Sequence, residues 1–125
     1  MNDAVFACIL NEKVQEVFAN NVKAGWWSDI RTGERKERNK GELIALMHSE
    51  LSECLEGVRK NLMDDKLPHR KMEEVELADV CIRIFDYCGA YGFDLGTAII
   101  EKLAYNAVRE DHKIENRLKS DGKKI

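Results

Sequence analysis

The sequence predicts an all-α domain, on three observations. The 125 residues hold only one proline and eight glycines, and the glycines fall mainly at apparent boundaries. Long stretches are rich in Glu, Lys, Leu and Ala, which favour helix over strand. Apolar residues recur at mostly three- and four-residue spacing.

Taken in order, Val5, Ile9, Val14, Val17, Phe18 and Val22 predict a first helix from about Asn2 to Lys23. Gly25-Trp26-Trp27 then opens a polar stretch without apolar periodicity that runs through Thr32-Gly33 to Asn39, long for a connection without a function of its own. Asn39 followed by Glu42 resembles a capping pattern, and Leu43, Leu46, Met47, Leu51, Leu55 and Val58 carry a second helix to about Leu62. Asp64-Asp65-Lys66-Leu67-Pro68 is a turn whose proline limits both flanking helices. A third helix is expected from about His69 to Tyr91, closed by Gly92, and a fourth from Leu95 to about Lys113, capped by Asp94. Residues 1–118 read as one domain, and 119–125 as a polar, frayed tail.

Within the second helix two carboxylates stand one turn apart, Glu50 and Glu53. At about 100° per residue with Glu50 at zero, Leu46 falls near 320°, Leu43 near 20°, Cys54 near 40° and Met47 near 60°. Glu50 is therefore inside the apolar arc, and Glu53, near 300°, is at its edge. A buried lone carboxylate is costly unless it is paired or binds a metal.

The third helix carries a polar stripe of Glu76, Asp79, Arg83 and Asp86 on an otherwise nearly all-apolar circumference. Taken alone, that stripe is equally well a solvent face. On the fourth helix Lys102, Asn106 and Arg109 interrupt another apolar side, as phosphate-binding groups or as cations that snorkel or pair at the surface. Two stripes are acidic and the third is cationic. Four carboxylates from Glu50, Glu53, Glu76 and Asp79 need counter-charge at close range. Mg²⁺, with Mn²⁺ as a substitute, takes oxygen ligands and is commonly completed by substrate phosphates, which Lys and Arg neutralise from the other side.

These residues resemble the motif of the MazG-like all-α nucleoside triphosphate pyrophosphohydrolases. Glu50-x-x-Glu53, then Glu76-x-x-Asp79 after 22 intervening residues, then Lys102-x-x-x-Asn106 match it in order and type. The resemblance runs from the tryptophan loop to about His112, and is strongest to small integron- or phage-type MazG-like proteins. It implies a four-helix core assembled as a homodimer or a homotetramer, and hydrolysis of a (deoxy)nucleoside triphosphate to monophosphate and pyrophosphate in nucleotide-pool house-cleaning. Glu50, Glu53, Glu76 and Asp79 would bind Mg²⁺. Lys102, Asn106 and Arg109 would hold phosphate, and Glu53 would orient or deprotonate the attacking water. Trp26 or Trp27 would stack on the base; equally, one or both plug the core or an interface. The family includes dimeric dUTPases, dCTP pyrophosphatases and phosphoribosyl-ATP pyrophosphatases, and the motif does not choose among them. A non-catalytic helical module, with its acidic pairs on a structural ion or on Arg83, Lys102 and Arg109, is the rival from another class.

The formal charge of −3, from 20 basic and 23 acidic side chains, is not the footprint of a nucleic-acid binder. No apolar run reaches the roughly 18 residues that span a bilayer, so a cytoplasmic protein with no membrane partner is expected. Cys8, Cys54, Cys81 and Cys88 form no CxxC pair and occupy apolar helical positions, which predicts reduced core cysteines. His48, His69 and His112 show no metal-ligand spacing. The basic run Arg31, Arg35, Lys36, Arg38 and Lys40, interleaved with Glu34 and Glu37, reads as a solvated loop.

Overall fold

A computed structural model describes residues 1–125. It is all-helical: α1 spans Asp3–Lys23, α2 Lys40–Lys60, α3 Met72–Tyr91 and α4 Leu95–Val108; a 3₁₀ turn at Glu110–His112 and the short α5 at Ile114–Arg117 follow. None of these helices is long and apolar enough to cross a membrane. The chain forms two compact units, Glu12–Phe93 and a second made of Met1–Asn11 with Asp94–Ile125, so α1 supplies residues to both.

Local sequence sets most of the boundaries. Asn39 Oδ1 accepts the Glu42 N–H at 3.0 Å and starts α2. Asn61, left-handed at φ 51°, ends it by donating to the Gly57 and Val58 carbonyls. Gly92 closes α3 at φ 69°, and Asp94 starts α4 by accepting from the Thr97 N–H at 3.0 Å. Three expectations are corrected. Helix α3 begins at Met72, not near His69, because the chain after Pro68 turns through an Arg70 N–H bond to the Leu67 carbonyl and pairs Lys71 with Met63. Helix α4 ends at Val108, not near Lys113, because Arg109 turns extended at φ −72°, ψ 139°. The tail folds back: Gly122 N–H bonds the Lys119 carbonyl, and Lys124 Nζ bonds the Arg117 carbonyl at 2.6 Å.

In the Glu12–Phe93 unit, α2 and α3 pack antiparallel. At one end they nearly touch: a Cβ on Gly57 would lie 2.9 Å from Met72 Cβ. Nearby, Cys54 Sγ donates to the Glu73 carbonyl at 3.4 Å. At the other end Lys40 Nζ lies 4.2 Å from the Tyr91 ring centre and 5.8 Å from those of Tyr87 and Phe93. The second half of α1 sits against Gly89, where an added Cβ would collide with the Phe18 side chain. Trp27, only 2% exposed, packs edge-on to Phe18 and Tyr91. The loop from Gly25 to Asn39 is a compact excursion pinned by Asp29, which accepts from the Arg31 and Thr32 N–H groups, and by the Ser28–Arg35 bridge.

In the other unit, Asn11 ties α1 to the start of α4: its Oδ1 accepts the Gly96 N–H at 2.9 Å and its Nδ2 donates to Asp94 Oδ1 at 2.7 Å. Gly96 is required there, since a Cβ would lie 2.6 Å from the Ala7 carbonyl oxygen.

No cysteine is in a disulfide, but only Cys88 is a core residue; Cys54 is half-buried, and Cys8 and Cys81 are exposed. The reason is general to this chain, whose apolar surface exceeds what its units enclose. Ile44, Leu51, Leu55 and Val58 form an exposed helical seam on α2, and Leu77 and Ile82 are exposed on α3.

Candidate functional site

Helix α2 contributes Glu50, and α3 contributes Glu76 and Asp79; one carboxylate oxygen from each lies within 4.8 Å of the other two. Their positions follow from the antiparallel packing, which sets the middle of α2 opposite the first half of α3. Glu50 Oε1 accepts a hydrogen bond from Arg83 Nε at 2.8 Å, and Arg83 Nη2 lies in ion-pair contact with the same oxygen at 2.8 Å. Glu76 is 7% exposed, and its Oε2 is buried with no hydrogen-bond partner.

The electrostatics match that geometry. Burial, a hydrogen bond to Glu50, and the charges of Glu53, Glu50 and Asp79 push the Glu76 carboxyl up to about 8. Two carboxylates can share a hydrogen bond only through a proton, so that contact favours the protonated acid. Asp79 is also raised, by burial first and by Glu50 next, with Arg83 opposing and Asp64 adding to the rise. Asp64 is itself buried, and its Oδ2 accepts from the Lys66 and Leu67 N–H groups.

Glu53 is brought to the neighbourhood but not into the group of three: it is exposed and lines a 420 Å³ cavity together with Glu76, Glu56 and Asp64. A second cavity of 520 Å³ has Glu50 and Asp79 in its wall, together with Trp26, Arg38, Arg83 and Asp86. The two predicted base-stacking tryptophans part company here. Trp26 is 61% exposed and lines that cavity. Trp27 takes the core alternative: it is buried, and its Nε1 donates to Asp86 Oδ1 at 3.0 Å. Asp86 thus satisfies a buried indole, with Arg38 4.0 Å away, and does not join the other acids of its stripe.

Lys102, Asn106 and Arg109 belong to the unit of Met1–Asn11 and Asp94–Ile125. Lys102 Nζ lies 4.7 Å from the Tyr105 ring centre. Arg109 forks onto Asp111 at 2.6 and 2.7 Å and also reaches Asn106 Oδ1 at 3.3 Å.

Arg38, in the basic run read as a solvated loop, and Asn21 also line the 520 Å³ cavity. Neither carried a signal, since a loop cation and a helix-end amide have no periodicity to break. No family model, curated protein or solved structure matches the chain.

Proposed function

We propose that this chain is a Mg²⁺-dependent nucleoside triphosphate pyrophosphohydrolase of the MazG-like type, in which water and a (deoxy)nucleoside triphosphate give the monophosphate and pyrophosphate. The observation that carries the reading is Glu76. A buried carboxylate whose Oε2 has no partner, within 4.8 Å of two further carboxylates, is strongly unfavourable by itself and is what a hard divalent cation needs. The all-oxygen donor set of Glu50, Glu76 and Asp79 fits Mg²⁺ or Mn²⁺ and does not fit a thiophilic ion. When bound there, such an ion supplies a more acidic water and charge neutralisation at phosphoryl oxygens.

The chain's own groups account for the rest. The 520 Å³ cavity is in the range of small-molecule sites, and Trp26 offers an exposed ring to any base at its edge. Glu53, exposed beside Glu76, is the group that orients or deprotonates the attacking water. Glu53→Gln is expected to keep cation-dependent nucleotide binding and lose turnover; unaltered turnover would remove Glu53 from the reaction. The assignment of Lys102, Asn106 and Arg109 to phosphate rests on the resemblance alone. Self-association as a dimer or tetramer is supported by the exposed seam on α2, and light scattering that shows a monomer at micromolar concentration would contradict it.

One panel of canonical and modified nucleotides, with phosphoribosyl-ATP included, tests the function when pyrophosphate and orthophosphate are followed separately with Mg²⁺. Pyrophosphate release supports it, and the preferred compound separates house-cleaning from phosphoribosyl-ATP hydrolysis. Orthophosphate release rejects the reaction type. No release favours the second reading, a non-catalytic helical module, for which the Arg83–Glu50 ion pair is the supporting observation. That pair leaves Glu76 Oε2 without a partner, which is why the enzyme is preferred.

A further inference from the structure

Arg83 has no role in the reaction as described, yet its position is specific. Both Nε and Nη2 point at the same oxygen, Glu50 Oε1, each at 2.8 Å. A guanidinium usually engages a carboxylate with two parallel bonds to two oxygens; here one hydrogen bond and one close ion-pair contact converge on a single oxygen. The side chain of Glu50 is 12% exposed and that of Arg83 38%, so the acid is the inner partner and the cation the outer one. Both line the 520 Å³ cavity, and Arg83 is the one cation in ion-pair contact with any of the three clustered carboxylates.

We infer that Arg83 is an exchanging counter-cation: it neutralises Glu50 in the metal-free protein, and moves to the phosphate chain of the substrate when a divalent ion takes Glu50. The inference rests on the metal and nucleotide reading above. A guanidinium and a divalent cation compete for Glu50 Oε1, because they repel each other at contact distance and demand the same lone pairs. Arg83 is the mobile partner, long, unbranched and more than a third exposed. The phosphate oxygens that enter the same cavity offer its fork two acceptors in place of one. Lysine would not serve equally, because a point charge cannot hold two oxygens in plane.

Exchange gives opposite signs for two affinities, which a merely structural contact does not. In Arg83→Gln the competitor for Glu50 is gone, so Mn²⁺ alone binds about three- to tenfold more tightly. Inorganic pyrophosphate, offered with saturating Mn²⁺, binds about tenfold more weakly or worse, having lost a charged two-donor contact. Calorimetric titration of the full chain at pH 8 measures both, with circular dichroism as the check on folding. Arg83→Lys covers the case in which the Gln variant is unstable: Mn²⁺ affinity stays within about twofold of wild type while pyrophosphate binding falls. Unchanged Mn²⁺ affinity in Arg83→Gln, or a loss of both affinities together, overturns the exchange. A wild-type chain that binds no Mn²⁺ overturns the metal reading and the exchange with it, an outcome distinct from the first two.

Discussion

Glu76→Gln isolates the cost of the acidic cluster. In the metal-free protein the Glu76 carboxyl is pushed up to about 8 from an ordinary 4.5, with burial as the leading cause. An acid raised on folding binds its proton more tightly in the folded state. Its contribution to stability is therefore fully present below the unfolded value of 4.5 and is lost as pH rises through about 8. Integrated from pH 5 to pH 8, that loss is about 3–4 kcal/mol, on the order of 10 °C in Tm for a domain of this size. The glutamine has nearly the same shape and does not titrate, and whatever its buried amide costs is independent of pH. Thermal melts of wild type and variant in chelator, at pH 5 and pH 8, give the result as a difference of differences that cancels the histidines. Wild type is expected to lose several degrees relative to the variant across that range. Saturating Mg²⁺ at pH 8 is then expected to raise the Tm of wild type and not that of the variant. Parallel pH profiles for the two proteins would refute the reasoning, since they would mean that Glu76 is not held protonated by its surroundings.

Two further substitutions test the scaffold around the cluster. Trp27→Ala is expected to cost about 3–5 kcal/mol in urea unfolding, since it empties a buried site and removes the indole donor from Asp86 Oδ1; Trp26→Ala is expected to leave stability within about 0.5 kcal/mol and to raise the KM of the nucleotide that the assay panel selects. A Trp26→Ala protein with wild-type KM would leave the cavity without its base platform. Gly57→Ala sets a gain of about 1 kcal/mol in helix propensity against a Cβ placed 2.9 Å from Met72 and 3.2 Å from the Glu73 nitrogen. Overpacking of about 1–3 kcal/mol wins, so the melting temperature falls, whereas a rise would show that α2 and α3 separate freely.

What could be read from the sequence was what local chemistry determines. Asn39, Gly92 and Asp94 each act within a few residues of themselves, so the start of α2, the end of α3 and the start of α4 were visible. Periodicity also located Glu50 inside an apolar arc. Where the outcome depended on a partner far along the chain, the pattern was mute. Arg83 stood in its stripe as one of three cations able to pair with the acids, with nothing to single out Glu50, 33 residues earlier, as its acceptor. Trp26 and Trp27 are adjacent and chemically identical, and only the packing of Trp27 against Phe18, Tyr91 and Asp86 distinguishes them. The early end of α4 was missed because no glycine or proline marks it. The chain leaves the helix at Arg109, whose guanidinium is held by Asp111 and Asn106. Cys8 and Cys81 were misplaced because an apolar helical position implies burial only where another surface covers it.

The acidic cluster also explains why the α2–α3 pair is fastened as it is. Three carboxyl groups within 4.8 Å cannot all ionise without repulsion, and two helices free to slide or splay would relieve it by moving apart. Here they are held on both sides of the cluster. On one side, Gly57 admits Met72 to backbone-close contact and Cys54 bonds the Glu73 carbonyl. On the other, Lys40 at the start of α2 is held over the rings of Tyr87, Tyr91 and Phe93 near the end of α3. Between these fastenings the Arg83 fork crosses from α3 to α2 and offsets part of the charge. Side chains carried by helices fixed at both ends keep their spacing better than side chains on loops. The arrangement therefore tolerates a clustering of acids that it has no structural reason to contain, and it sets them in the wall of the cavity that the exposed Trp26 ring also lines.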